Sequence, residues 1–252
     1  MVAIIIFLGP AGSGKSSLTS SYSRWLREFL GARIFIVNLD PATEFIPYKP
    51  DLDIRDLIDI HRISKEFGLG PNGVLVKAMD IIANEMIYIF EDLKYIDTDF
   101  ILIDTPGQME VFIFRDIAIK LVNELKKLSN NVVAVFVLDA DVIKRYEDYA
   151  FISIMSTALQ ARMGIDVVPV INKIDLVQSL LIVGDTISDI DIVIENIRNK
   201  GLYGEMLSNI LNIIWQYAKA TRVPRVSAKE FIGIEELHRI IHELTCSCGD
   251  LT

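Results

Sequence analysis

Cysteine is nearly absent. The chain carries two, Cys246 and Cys248, one residue apart at the end of the sequence, and this excludes a disulfide framework. No hydrophobic run approaches the ~18 residues of a membrane helix. The opening MVAIIIFL is short, lacks a positive flank and runs straight into Gly9, which suits a core strand rather than a signal peptide. Lys and Arg form no runs, and a formal net charge of −9 argues against a general nucleic-acid binder, which needs a basic face. Neither a Ser/Pro-rich linker nor an internal repeat breaks the chain. The expectation is a cytoplasmic protein forming one domain over residues 1–252, with no membrane and no direct nucleic-acid partner.

What is present is apolar and ordered. Hydrophobic residues at 51% and charged residues at 23% lie far from the disordered regime. β-branched runs recur, each ending in polar or Gly-rich punctuation: VAIIIFLG, RIFIVNLD, FILIDTPG, VVAVFVLDA and DVVPVINKID. Near-continuous apolar strands of this kind are buried on both faces, as in a parallel sheet covered by helices. After Lys15, residues Leu18, Tyr22, Trp25, Leu26, Phe29 and Leu30 follow helical spacing, with Gly31 placed to stop the helix. The fold class is therefore α/β: a mainly parallel sheet with helices on both faces.

Two excursions lengthen this frame. Over about residues 41–98, Ile54, Leu57, Ile58 and Phe67 suggest one amphipathic helix, and Val76, Met79, Met86, Ile89, Phe90 and Leu93 a second. Gly70-Pro71-Asn72-Gly73 lies at their junction, where a turn is the plain reading, since Pro presets φ and Asn and Gly tolerate left-handed backbone. A second insertion, at about 177–221, holds helical patterns in DIVIENIRNKG and EMLSNILNIIWQYAKA.

Four loops carry chemistry. GPAGSGKS comprises Gly9, Pro10, Ala11, Gly12, Ser13, Gly14, Lys15 and Ser16, with Ser17 following. It matches G-x-x-x-x-G-K-[ST] between a strand and a helix, a cradle for phosphates in which Lys15 reaches the β- and γ-phosphates and Ser16 ligates Mg²⁺. ILIDTPGQ ends a strand at Asp104, a carboxylate able to hold Mg²⁺ through water, and sets Gly107 where its N–H can sense a γ-phosphate. INKID supplies Asn172, Lys173 and Asp175. The Asp175 carboxylate can pair with two guanine N–H groups that adenine does not offer, so GTP is expected. VSAK adds Ser227, Ala228 and Lys229, with the Ala228 N–H available to the guanine oxygen. All four follow strands and should gather at the carboxyl edge of the sheet.

Asp40, in NLDPATE, ends the second strand; alone it reads as a turn or N-cap carboxylate. Taken together, the P-loop, NLDPA, an inserted Gly-Pro-Asn, DTPGQ-x-E, NKID and SAK, spread from Gly9 to Lys229, resemble the GPN-loop GTPases. These belong to the dimerising SIMIBI class of P-loop proteins, and the compact length resembles the archaeal branch. The resemblance implies the three-layer P-loop NTPase fold, GTP hydrolysis with Mg²⁺, and a homodimer in which Gly70, Pro71 and Asn72 reach the partner's nucleotide. It further implies Ser16, Asp40 and Asp104 around the metal, and Asp40, Gln108 and Glu110 as the groups that position or deprotonate water. Arg115, the first arginine after this loop, reads as a helix-surface residue. The implied biology is a nucleotide-dependent assembly switch with protein clients such as RNA polymerase subunits. A GTP-gated scaffold with negligible turnover and a MinD-like ATPase are the alternatives; Asn172–Asp175 opposes the latter. In the tail, His238, His242 and Cys246 have zinc-compatible spacing, but an amphipathic helix with solvated His residues is preferred.

Overall fold

The computed structural model describes residues 2–177, 190–217 and 222–245. Its strands are β1 (Ala3–Leu8), β2 (Ile34–Asn38), β3 (Leu52–Asp53), β4 (Phe100–Asp104), β5 (Val132–Asp139) and β6 (Asp166–Asn172). They form one sheet in the order β3-β2-β4-β1-β5-β6, and every neighbouring pair is parallel. β1 lies inside, with Ile5 opposite Leu102 on one flank and Val133 on the other. Because all strands run one way, Gly9, Asp40, Asp104 and Asn172 emerge at the same edge.

The helices are α1 (Lys15–Leu30), α2 (Ile60–Phe67), α3 (Pro71–Ile89), α4 (Met109–Ile113), α5 (Asp116–Leu128), α6 (Tyr146–Met163), α7 (Ile190–Arg198), α8 (Gly201–Tyr217) and α9 (Ile234–Thr245). Alternation along each strand divides the core in two. Ile5, Phe7, Leu102 and Val135 pack with Leu18, Tyr22 and Leu26 of α1 and Leu237 and Ile241 of α9. Ile4, Ile6, Ile103 and Phe136 pack on the opposite face with Met79 and Ile82 of α3, Leu121 and Leu125 of α5, and Ile152 of α6. Each such side chain, wholly withdrawn from water, contributes roughly 1.5–3 kcal/mol. Two buried faces explain why the strands are apolar throughout. Gly31 ends α1 at φ 61, as its position predicts, although Phe29 and Leu30 remain exposed.

The first insertion departs from the sequence reading. Ile54–Phe67 is not one helix. Leu52 and Asp53 pair with Val37 and Asn38 as an edge strand, a short 3₁₀ turn takes Ile54–Asp56, and α2 starts only at Ile60. The cause is local: the Asp59 carboxylate accepts from the His61 and Arg62 N–H groups and fixes the helix start. Gly68, at φ 62, ends it. α3 is no outlying arm, since Met79, Ile82 and Met86 belong to the main core, while Ile63, Val74 and Ala78 tie α2 to it. Gly70 is the N-cap of α3 and Pro71 its first residue, a position where the missing N–H costs nothing. The segment before Ser227 is shorter than a strand, making an Ile171–Arg225 bridge to β6. The second insertion supplies α7 and α8, while residues 178–189 and 218–221 lie outside the described residues.

Candidate functional site

The P-loop depends on two glycines. A Cβ on Gly9 (φ 149) would lie 2.2 Å from the Val137 carbonyl oxygen of β5, and one on Gly14 (φ 88) would lie 2.4 Å from Asn172 Nδ2. No larger residue fits either place. α1 opens at Lys15, so its first N–H groups, which lack helical partners, face the loop. Lys15 is 6% exposed. Its Nζ donates to the Gly9 oxygen at 3.0 Å and the Pro10 oxygen at 3.1 Å. Burial lowers its pKa, and the charges of Asp104 and Asp40 oppose that shift.

Asp104, at the end of β4, is 1% exposed, and burial raises its carboxyl pKa to about 6 against the pull of the Ser16 and Tyr48 hydroxyls. Tyr48 Oη donates to Oδ2 at 2.7 Å, while Oδ1 has no hydrogen-bond partner of normal geometry. A buried carboxylate oxygen without a partner, beside a serine hydroxyl, fits a hard cation such as Mg²⁺. Asp40 fits it less well. Its Oδ1 accepts from the Ala42 N–H at 2.9 Å and its Oδ2 from the Gly107 N–H at 3.3 Å, so both oxygens serve backbone. Among the described residues no three His, Cys, Asp or Glu side chains converge on a point.

Gly107 passes close to the P-loop: a Cβ there would meet the Ala11 Cβ at 3.5 Å. Gln108 is the N-cap of α4, and its Nε2 donates to Asn72 Oδ1 of the same chain at 3.3 Å. The Gly-Pro-Asn turn and the switch loop are thus brought together. Glu110, the second residue of α4, lines a groove of about 780 Å³ shared with Asp80, Phe114 and Arg115. Arg115 pairs with Asp80 at 3.2 Å, the helix-surface role expected for it.

Asn172 is the hub of the other half. Nδ2 donates to the Ser13 oxygen at 3.0 Å and the Gly14 oxygen at 3.4 Å, and Oδ1 accepts from the Ala228 N–H at 3.1 Å. One buried amide therefore clips the P-loop to the Ser227–Lys229 loop. Ser227 Oγ donates to Asp175 Oδ1 at 2.5 Å, and Ser21 Oγ of α1 to the Ala228 oxygen at 2.5 Å. Lys173 stands at φ 65, its Nζ on Asp139 at 2.6 Å. Asp175, Ser17 and Lys229 are exposed, and Lys229 pairs with Glu230. Sequence reasoning missed Tyr48, Asp139 and Ser21. The only signal for Asp139 was its place after an apolar run; Tyr48, in PYKP, gave none.

The tail is not a solvated face throughout. His238 Nδ1 lies 2.8 Å from Tyr22 Oη and its ring packs against Trp25 and Phe100, so burial lowers its pKa to about 4. His242 is exposed. Cys246 lies outside the described residues. No helix among the described residues is long and apolar enough to cross a membrane.

Residues 7–247 match a family described as "Conserved hypothetical ATP binding protein". The chain is 30% identical over 254 residues to the GPN-loop GTPase PAB0955 of Pyrococcus abyssi, covering 99% of this chain and all of that one. It is 30% identical over 173 residues to the GPN-loop GTPase 2 homolog of Dictyostelium discoideum, a match covering 69% of this chain but only 55% of that longer protein. The crystal structure of PAB0955, titled a GTPase in apo form, superposes with a TM-score of 0.84 at 28% identity over 98% of both chains.

Proposed function

The chain belongs to the GPN-loop GTPase family, a P-loop fold, and from that premise we propose that it binds GTP and Mg²⁺ and hydrolyses GTP to GDP and phosphate. The observation that carries this reading is the convergence of the P-loop, Asp104, Gly107 and Asn172–Asp175 at one edge of a parallel sheet. The matching family's description speaks of ATP, but Asp175 argues for guanine, because a carboxylate facing adenine would lack its two donors.

Residue roles follow from placement. Lys15, released from Gly9 and Pro10 by a competing oxyanion, neutralises phosphate charge. Ser16 and Asp104 would hold the metal, which would supply further neutralisation of phosphate charge. The Gly107 N–H would exchange Asp40 for a γ-phosphate oxygen, freeing the Asp40 carboxylate to face the attacking water. Gln108, adjoining Gly107, orients that water; Glu110, turned toward the groove, is the weaker candidate. Phosphate release from GTP and from ATP, measured side by side with Mg²⁺, tests the reading: a clear preference for GTP is expected, and equal turnover overturns it.

The finer reading is a homodimer in the cytoplasm whose Gly70-Pro71-Asn72 loop serves the partner's site, acting as a nucleotide-dependent assembly switch for protein clients such as RNA polymerase subunits. Family membership and the exposure of all three residues support it. The Gln108–Asn72 contact within one chain favours a second reading, in which the loop braces its own switch. Mixing Lys15→Ala and Asn72→Ala proteins under subunit exchange separates them. Recovered hydrolysis means action in trans; no recovery despite proven exchange means action within the chain.

A further inference from the structure

We infer that Tyr48 is a positioning residue for the metal-binding carboxylate, holding one oxygen of Asp104 so that the other is presented to the cation. The inference rests on the reading of Asp104 as the Mg²⁺ carboxylate and extends it to a residue outside every motif of the site.

Asp104 is buried beside the Ser16 hydroxyl, and its two oxygens are treated differently: Oδ2 receives the Tyr48 hydroxyl at 2.7 Å, whereas Oδ1 has no hydrogen-bond partner of normal geometry. An unrestrained Asp rotates its carboxylate with little resistance, because χ2 of Asp has a broad, roughly two-fold profile. A short hydrogen bond to one oxygen removes that freedom and fixes where the other points. Outer-shell partners of this kind tune metal affinity by ordering the ligand before the metal arrives.

Tyr48 is itself held from both sides. Its neighbour Pro47 gives its carbonyl oxygen to Ser20 Oγ of α1 at 2.9 Å. Three residues on, Asp51 is fixed to β2, its N–H on the Ile36 oxygen and its carboxylate on the Ile36 N–H, both at 2.8 Å. Further along, Asp53 accepts from Asn38 at 2.9 Å and pairs with Arg55 at 2.6 Å. The phenol is thus delivered by a segment tied to α1 at one end and to the sheet edge at the other. It joins the stretch after Asp40 to the metal carboxylate.

The test is a Mg²⁺ titration of protein saturated with GDP carrying a fluorescent ribose group, read as fluorescence rather than turnover. For Tyr48→Phe the Mg²⁺ concentration at half-maximal response should rise about tenfold, as expected for one hydrogen bond to a charged group. Affinity for the same nucleotide in EDTA should stay within about twofold. An unchanged midpoint, or an equal loss in EDTA, would mean that Tyr48 serves the fold alone and overturns the inference. Asp104→Asn separates the premise from the inference. It should abolish the response, and adding Tyr48→Phe to it should change nothing more. A response that survives Asp104→Asn overturns the reading of Asp104 and Tyr48's role with it.

Discussion

On the side of the site proposed to read guanine, Asn172 is 1% exposed and its amide closes three bonds to backbone, while Ser21 donates to the Ala228 oxygen and Ser227 to the Asp175 carboxylate, both at 2.5 Å. On the phosphate-sensing side, the Gly107 N–H and the Gln108 amide make single contacts of 3.3 Å, to Asp40 and Asn72, and Gly70, Pro71 and Asn72 are exposed. Several converging bonds to buried backbone are costly to break together; solitary, less buried ones exchange more readily with water or a ligand. On the function proposed above, the half that would choose the base is held by more bonds, and the half that would answer the γ-phosphate by fewer. Segments that switch must come from the less stable end of a structure.

Four experiments would sharpen or break this contrast. Asp175→Ala should have the largest effect, reducing the preference for GTP over ATP by ~10²–10³ because the paired donors of guanine lose their acceptor. Competition binding with both nucleotides reads it, and an intact preference would remove the guanine side from the comparison. Asn172→Ala comes next. It strands the Ala228 N–H and two P-loop carbonyls, so stability should fall by ~2–4 kcal/mol and the melting temperature by ~5–10 °C, even without nucleotide. Calorimetry showing a loss under ~1 kcal/mol would mean that the clip is ornamental.

Asp104→Asn should do the opposite in nucleotide-free protein. The folded state raises this pKa to about 6, so above that pH the fold carries an ionised group it disfavours; removing the charge should stabilise by ~1–2 kcal/mol while hydrolysis is lost. A fall in melting temperature would show that the carboxylate is better satisfied than its unpartnered Oδ1 implies. The smallest effect belongs to the Gln108–Asn72 pair. A double-mutant cycle with Gln108→Ala and Asn72→Ala should give a coupling in stability below ~0.5 kcal/mol, as exposed pairs do. A coupling above ~1 kcal/mol would make this side as rigid as the other.

Most of the sheet was legible because a strand buried on both faces must be apolar along nearly its whole length, and five of the six are, with polar residues only at their ends. β3 was not: two residues carry no periodicity, and Leu52–Asp53 becomes a strand only because Asp51 is anchored to Ile36 of β2. The same insertion misled the helical reading, since Ile54, Leu57 and Ile58 have helical spacing but Asp59 starts the helix after them. Within the site, motifs pointed to residues in loops that the fold gathers at one edge of the sheet. They did not disclose what supports those residues. Tyr48 reaches Asp104 across 56 positions and Ser21 reaches Ala228 across 207, and neither pairing leaves a local pattern.

The place of β1 inside the sheet bears on how the chain is made. The first strand synthesised finds its partners only when β4 and β5 exist, and the clip from Asn172 closes only once Ala228 has been added. Contacts so distant in sequence form slowly, and the P-loop, though it precedes β4, β5 and Ala228 in the chain, gains its neighbours only after they are added. A nascent chain released early carries the cradle motif without the walls that shape it, so nucleotide capture marks a polypeptide that has already added Ala228.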